Sequence, residues 1–140
     1  LRLASMAASF AVPEVTLGTI CGAGGTQRLP RLIGETRAKE MIFTGREITA
    51  ETAREWGLVN GVFTAGSLLE ETLNLAEEIA RNSPYAVTCA KRSVNGGREM
   101  LLEEALEWER SLFGECGESR DRKEGMMAFL EKRPRIFTGE

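Results

Sequence analysis

The chain has 140 residues, of which 42% are apolar and 28% charged, the balance of a globular domain or a piece of one. Its 18 basic and 21 acidic residues leave a net charge of −3; the two signs are interspersed, which excludes a broad electrostatic footprint for DNA or RNA. There is no histidine, so Ser-His-Asp and Cys-His catalysis and imidazole metal sites are excluded within this chain. Acid–base chemistry falls to carboxylates, Lys, Tyr or Cys.

The chain opens on LRLASMAASFAV, which is apolar but has no charged leader region or cleavage site of a signal peptide. It begins with Leu1 rather than Met, as expected of a chain whose true N-terminus lies elsewhere. Residues 2–12 read as one or two strands, and a turn-rich stretch follows from Thr19 to Thr26. A short helix is expected over 26–33, closed by Gly34, and a second over 36–43, with Ala38, Met41 and Ile42 at helical spacing and a stop at Gly45. Thr49 is placed to cap a helix over 50–56 that Gly57 ends. Residues 58–63 read as a short strand.

The second half reads as helical throughout. Ser67 and Glu70 have capping-box spacing, ahead of a helix with Leu69, Leu73, Ala76 and Ala80 on one stripe. Ser83-Pro84 starts a helix that ends near Gly96-Gly97. Over 101–114, Leu102, Ala105, Leu106, Glu109, Leu112 and Phe113 share one face. A last helix over 120–132 stops before Pro134. So little strand beside so much helix argues against a self-sufficient α/β domain.

The three cysteines, Cys21, Cys89 and Cys116, lie far apart with no CxxC pair, which indicates neither a zinc site nor a disulfide scaffold and points to a reducing compartment. The basic residues Arg120, Arg122, Lys123, Lys132, Arg133 and Arg135 alternate with acidic ones, as on a solvated helix face. The loop around Gly22, Gly24 and Gly25 is no phosphate cradle: Gln27 stands where the dinucleotide fingerprint needs a third glycine, and no Gly-Lys-Ser/Thr follows.

Three blocks carry a family resemblance. Residues 12–31, VPEVTLGTICGAGGTQRLPR, resemble the active-site segment of the crotonase (enoyl-CoA hydratase/isomerase) superfamily. Phe43-Thr44-Gly45-Arg46 with Ala53-Arg54-Glu55-Trp56-Gly57-Leu58-Val59-Asn60, and the tail DRKEGMMAFLEKR over 121–133, are similar to its later blocks. The resemblance covers the whole chain and maps to the family's second half, most like the hydratases. It implies an α/β crotonase-like fold, of which residues 1–63 form the C-terminal part of the ββα spiral core and 64–140 a helical oligomerisation domain, so that this chain is mostly α.

The implied activity is addition of water to 2-enoyl-CoA thioesters. Hydration needs two acid–base groups, one for the water and one for the α-carbon proton. Glu14 corresponds to the family glutamate that handles the α-carbon proton. Gly22 corresponds to the glycine whose N–H helps hold the catalytic water, where a close backbone approach would leave no room for a Cβ. The second glutamate and both N–H donors of the oxyanion hole belong to the family's first half.

Phe113 and Lys132 correspond to positions that bind the adenine and phosphate end of coenzyme A; core packing for Phe113 and a solvated helix end for Lys132 remain open alternatives. No metal and no cofactor are implied beyond the coenzyme A of the acyl-CoA substrate. The implied partners are copies of the same chain, as trimer or hexamer, and a chain supplying the first half; neither nucleic acid nor membrane is implied. The implied compartment is the cytoplasm, or the mitochondrial matrix in a eukaryote. Two other readings stay open: an enoyl-CoA isomerase, or a non-catalytic oligomerisation module.

Two departures stand out. Cys21 replaces the family's usual proline, which loosens the loop, and Met6-Ala7-Ala8 replaces a more polar stretch. With no histidine and no adjacent cation in sequence, a nucleophilic role for Cys21 is disfavoured. Arg28 and Arg31 are expected to form structural ion pairs, and Trp56 and Trp108 to pack.

Overall fold

The computed structural model describes residues 1–140, which divide into two compact units, Leu1–Leu73 and Asn74–Glu140. In chain order, the first unit holds β1 (Leu3–Ser5), β2 (Ser9–Phe10), a 3-10 turn (Pro13–Leu17), α1 (Gly25–Ile33), α2 (Glu35–Thr44), β3 (Ile48–Thr49), α3 (Ala50–Glu55) and β4 (Gly61–Phe63). Helix α4 (Leu68–Ala80) spans the division, and α5 (Pro84–Gly97), α6 (Leu102–Gly117) and α7 (Arg120–Glu131) make up the second unit.

In the first unit the strands form two small ladders. β1 pairs parallel with β4, with Leu3 opposite Gly61 and Ser5 opposite Phe63, while β2 pairs antiparallel with β3. A parallel pair needs a crossover; here everything from β2 to α3 lies between the two strands. Ala4, Ala50, Ala53 and Val59 form one buried cluster beneath β1 and α3, and Ile33, Ala38 and Met41 form another between α1 and α2. Phe10, Ile48 and Leu58 pack against both clusters and join them. The small side chains of α3 let it lie close to the strands, and its N-terminus is capped as expected, with the Thr49 hydroxyl accepting from the Thr52 N–H at 3.2 Å.

The second unit is built on the α5–α6 hairpin. Ser83 caps α5 by accepting from the Ala86 N–H at 3.0 Å, with Pro84 in the first turn. The face of α6 that meets α5 is Ala105, Trp108 and Leu112, and the Leu112 side chain is buried. The expected face is thus only partly used: Leu102 and Leu106 are exposed, and Phe113 is 77% exposed. The tight approach of α5 explains the choice. A Cβ on Gly96 would stand 2.8 Å from the Trp108 indole nitrogen, so the indole fills the space a glycine leaves, and its N–H donates to the Arg92 carbonyl at 3.3 Å.

Two more expectations change around α4. The Ser67–Glu70 capping box does not form; the cap lies one turn earlier, where the Thr64 hydroxyl accepts from the Ser67 N–H at 3.2 Å. The α4 stripe is uncovered, with Leu69 and Leu73 both exposed. No helix is long and apolar enough to cross a membrane.

Candidate active site

Glu14 sits in the second position of the 3-10 turn that Pro13 begins. The turn is held by the Thr16 hydroxyl donating to the Pro13 carbonyl at 2.7 Å and by the Thr19 N–H donating to the Glu14 carbonyl at 3.2 Å. Its end is Gly18, in the left-handed region at φ 76°. The Glu14 Oε2 is buried and has no hydrogen-bond partner. Leaving a buried acceptor unmet costs about 1–3 kcal/mol, and such atoms are few in native structures. This oxygen is the one buried side-chain polar atom of the chain left without a partner.

The residue that seats this turn is Gly45, which sequence reading treats as a helix stop and part of a family block, with no link to Glu14. It closes α2 at φ 61°, and a Cβ there would lie 2.9 Å from Thr16 Cγ2 and 3.3 Å from Pro13 Cα. Both the backbone angle and the contact require glycine. The end of α2 therefore lies directly against the turn that carries Glu14.

Gly22 opens the loop that leads into α1. Its carbonyl accepts from the Gly25 N–H at 3.0 Å, and its own N–H has no acceptor in the chain. A Cβ on Gly22 would meet nothing within 4 Å, so the expected crowding at this glycine does not come from this chain. The crowded glycine is Gly25, whose Cβ would stand 2.9 Å from the Cys21 Sγ. Cys21 is buried beneath it, which makes it a packing group. Ala23 at φ 52° and Gly24 at φ 83° turn the chain, and the Gly24 carbonyl receives the Gln27 and Arg28 N–H groups. Arg31 folds back on the Gln27 carbonyl and side chain, and neither Arg28 nor Arg31 makes an ion pair, contrary to expectation.

Phe113 and Lys132 both lie in the second unit, in adjacent clefts. Phe113 lines one between α5 and α6 with Cys89, Ser93, Val94 and Glu109. Core packing for Phe113 is ruled out within this chain by its exposure. Lys132 lines the other, a cleft of about 980 Å³ with Arg122, Arg133, Arg135, Phe129 and Phe137. Ala86 and Cys116 belong to both walls. Lys132 closes α7 in the left-handed conformation at φ 55°, an unusual one for a long side chain.

Two carboxylates hold this end of the molecule together. Asp121 is 2% exposed and accepts from the Ser83 hydroxyl at 2.6 Å, the Thr138 N–H at 2.8 Å and the Gly139 N–H at 3.2 Å. Burial works to raise its pKa, and these hydrogen bonds outweigh it, so the carboxyl stays below its ordinary range. Glu124 takes both arms of the Arg133 guanidinium, at 2.6 and 2.7 Å, and the Ile136 N–H at 3.0 Å. The Arg133 hydrogen bonds chiefly, and that N–H next, bring the Glu124 pKa down to about 2. Together they fold residues 134–140 back along α7.

Comparison with known proteins places this geometry in a class. The whole chain superposes on the crystal structure of enoyl-CoA hydratase from Bacillus anthracis with a TM-score of 0.96 at 46% identity, covering 100% of this chain and 54% of that one. The fold is therefore that of the crotonases. All of residues 1–140 match the family model described as enoyl-CoA hydratase/isomerase, and the chain belongs to that family. It is 48% identical over 130 residues to the mitochondrial enoyl-CoA hydratase of Pongo abelii, covering 93% of this chain and 45% of the relative. It is 45% identical over 132 residues to the 2,3-dehydroadipyl-CoA hydratase of Escherichia coli (strain K12), covering 94% and 52%. The chain spans about half the length of these relatives.

Proposed function

We propose that the chain supplies one half of an active site that adds water to the double bond of a 2-enoyl-CoA thioester. The observation that carries this reading is the buried, unpartnered oxygen of Glu14. In the proposed reaction Glu14 exchanges the proton at the α-carbon, and the free N–H of Gly22 holds the water. A second glutamate and the oxyanion donors come from a further polypeptide segment that completes the spiral. Phe113 stacks on the adenine of coenzyme A, and Lys132 provides a point charge for its phosphates, in a cleft that Arg122, Arg133 and Arg135 make basic. Coenzyme A enters as part of the substrate, and no other cofactor is needed. Names of relatives such as enoyl-CoA hydratase and short-chain-enoyl-CoA hydratase support hydration over isomerisation.

The test is hydration of a short 2-enoyl-CoA, followed by loss of the conjugated thioester absorbance, with the chain alone and with the first half of a relative added. Activity is expected only in the second mixture. An inactive but assembled complex overturns the reading.

A second reading, a non-catalytic assembly module working as a trimer or hexamer, is favoured by the exposed apolar side chains of α6 and α7, including Leu102, Phe113, Phe129 and Leu130. Sedimentation separates the two: a monomer at micromolar concentration removes the module reading. Either protein would work in the cytoplasm or the mitochondrial matrix.

A further inference from the structure

Cys89 and Cys116 are 27 positions apart in sequence, on α5 and α6 respectively, and both are free thiols. The register of the hairpin brings them together. Tyr85 on α5 donates to the Glu115 carboxylate at 3.1 Å, and Trp108 on α6 donates to the Arg92 carbonyl at 3.3 Å. Those two bonds bracket Cys89. Ala86, next to Tyr85, shares a cleft wall with Cys116, and one turn further along α5 Cys89 lies on the same wall. Both thiols line the cleft between α5 and α6, and after burial the Cys116 thiol is among the groups that hold the Cys89 pKa up. The small side chains of Ala86 and Ala90 line the same cleft on the α5 side.

We propose that Cys89 and Cys116 form a reversible disulfide between α5 and α6 when the protein meets a small-molecule disulfide such as glutathione disulfide. Their accessibilities set the order. Cys116 is half-buried in the last turn of α6 and lines both clefts, so it meets the oxidant first. Its thiol gives up a proton, and the thiolate attacks one sulfur of glutathione disulfide and expels a glutathione thiolate. The Cys89 thiol then loses its proton and attacks the Cys116 sulfur of the mixed disulfide. That step closes the Cys89–Cys116 bond and expels the second glutathione. Two cysteine thiols are oxidised, one disulfide is reduced to two thiols, and both protons end on glutathione. Cys89 is buried, and burial above all pushes its thiol pKa up. It therefore acts as the resolving thiol, shielded from outside reagents. Cys21, buried under Gly25 in the first unit, takes no part. The inference stands independently of the hydratase reading.

The test uses the reduced 140-residue chain, treated with glutathione disulfide under native conditions, quenched in acid, then alkylated in denaturant and mapped by mass spectrometry. Before alkylation the expected product is lighter than the reduced chain by about 2 Da, the two hydrogens lost on closing one disulfide. It carries one Cys89–Cys116 cross-linked peptide, is alkylated only at Cys21, and is reversed by dithiothreitol. Cys89→Ser should stop at a single glutathionyl group on Cys116, and Cys116→Ser should leave Cys89 unmodified. The proposal is overturned if the wild-type chain keeps all three thiols, if Cys21 enters the bond, or if the cross-link joins two chains. The wild-type measurement needs no variant and decides by itself.

Discussion

Glu14 and Asp121 are both carboxylates drawn into the protein, and they are treated in opposite ways. Asp121 is surrounded by donors from Ser83, Thr138 and Gly139, whereas the inward oxygen of Glu14 has none. Buried polar groups are ordinarily satisfied because an unmet one is costly. Asp121 is thus a staple, joining the start of α5, the start of α7 and residues 138–139. Glu14 is left with an unsatisfied oxygen, and the glycine and proline around it hold its turn in shape.

Substitution at the unsatisfied carboxylate should separate activity from stability most sharply. Glu14→Gln in the completed enzyme is expected to lower the hydration rate by at least about 100-fold, the scale of a lost general acid–base group. Urea unfolding of the same variant should show stability unchanged or slightly higher, because no hydrogen bond to Oε2 is lost. A variant that unfolds at lower urea while keeping its rate would make Glu14 a structural group and dissolve the contrast.

At the satisfied carboxylate the effect should be reversed. Asp121→Ala leaves the Ser83 hydroxyl and two backbone N–H groups without their acceptor. Each buried donor so abandoned costs about 1–3 kcal/mol. The expected result is a clear fall in Tm by circular dichroism and faster proteolysis within residues 134–140. Cleavage and Tm like those of the wild type would show that the staple is idle.

Gly45→Ala tests how the unsatisfied carboxylate is held. The substitution puts a side chain at φ 61° and within 3.3 Å of Pro13 and Thr16. Strain of this kind costs about 1–3 kcal/mol. Because the contact falls on the turn that carries Glu14, kcat should drop while coenzyme A affinity is retained. An equal loss in both would place the damage elsewhere.

The punctuation of this fold was open to sequence reading, and its long-range contacts were not. Thr49, Ser83, Gly34 and Gly45 mark helix ends through local backbone chemistry, and the helices begin and end beside them. The 3-10 turn that carries Glu14 is too short to leave a hydrophobic period, so only the family resemblance pointed to it. The working face of α6 was misjudged because Leu102 and Leu106 are more apolar than Ala105, yet the glycines of α5 favour a small residue and a flat indole. The Asp121 partners lie 38, 17 and 18 positions away, two of them backbone groups with no sequence signature. A similar separation hides the proposed Cys89–Cys116 pairing, since the α5–α6 turn, and no motif, puts both thiols on one cleft.

The mildest test concerns Glu124, a carboxylate satisfied by a charge. Its folded pKa, about 2, lies below the ordinary 4.5 because Arg133 and the Ile136 N–H favour the ionised form. A depressed folded pKa means that the stabilisation is fully present above pH 4.5 and is lost as pH falls toward 2. Glu124→Gln removes the charge at every pH. Its Tm should therefore fall below that of the wild type at neutral pH, and the gap should narrow between pH 4.5 and 2 and then close. The gap should be modest, because the Arg133 side chain is 38% exposed and water screens the pair. A gap that stays constant down to pH 2 would show that Glu124 acts through shape and neutral hydrogen bonds, leaving Asp121 as the only carboxylate in the second unit whose burial matters.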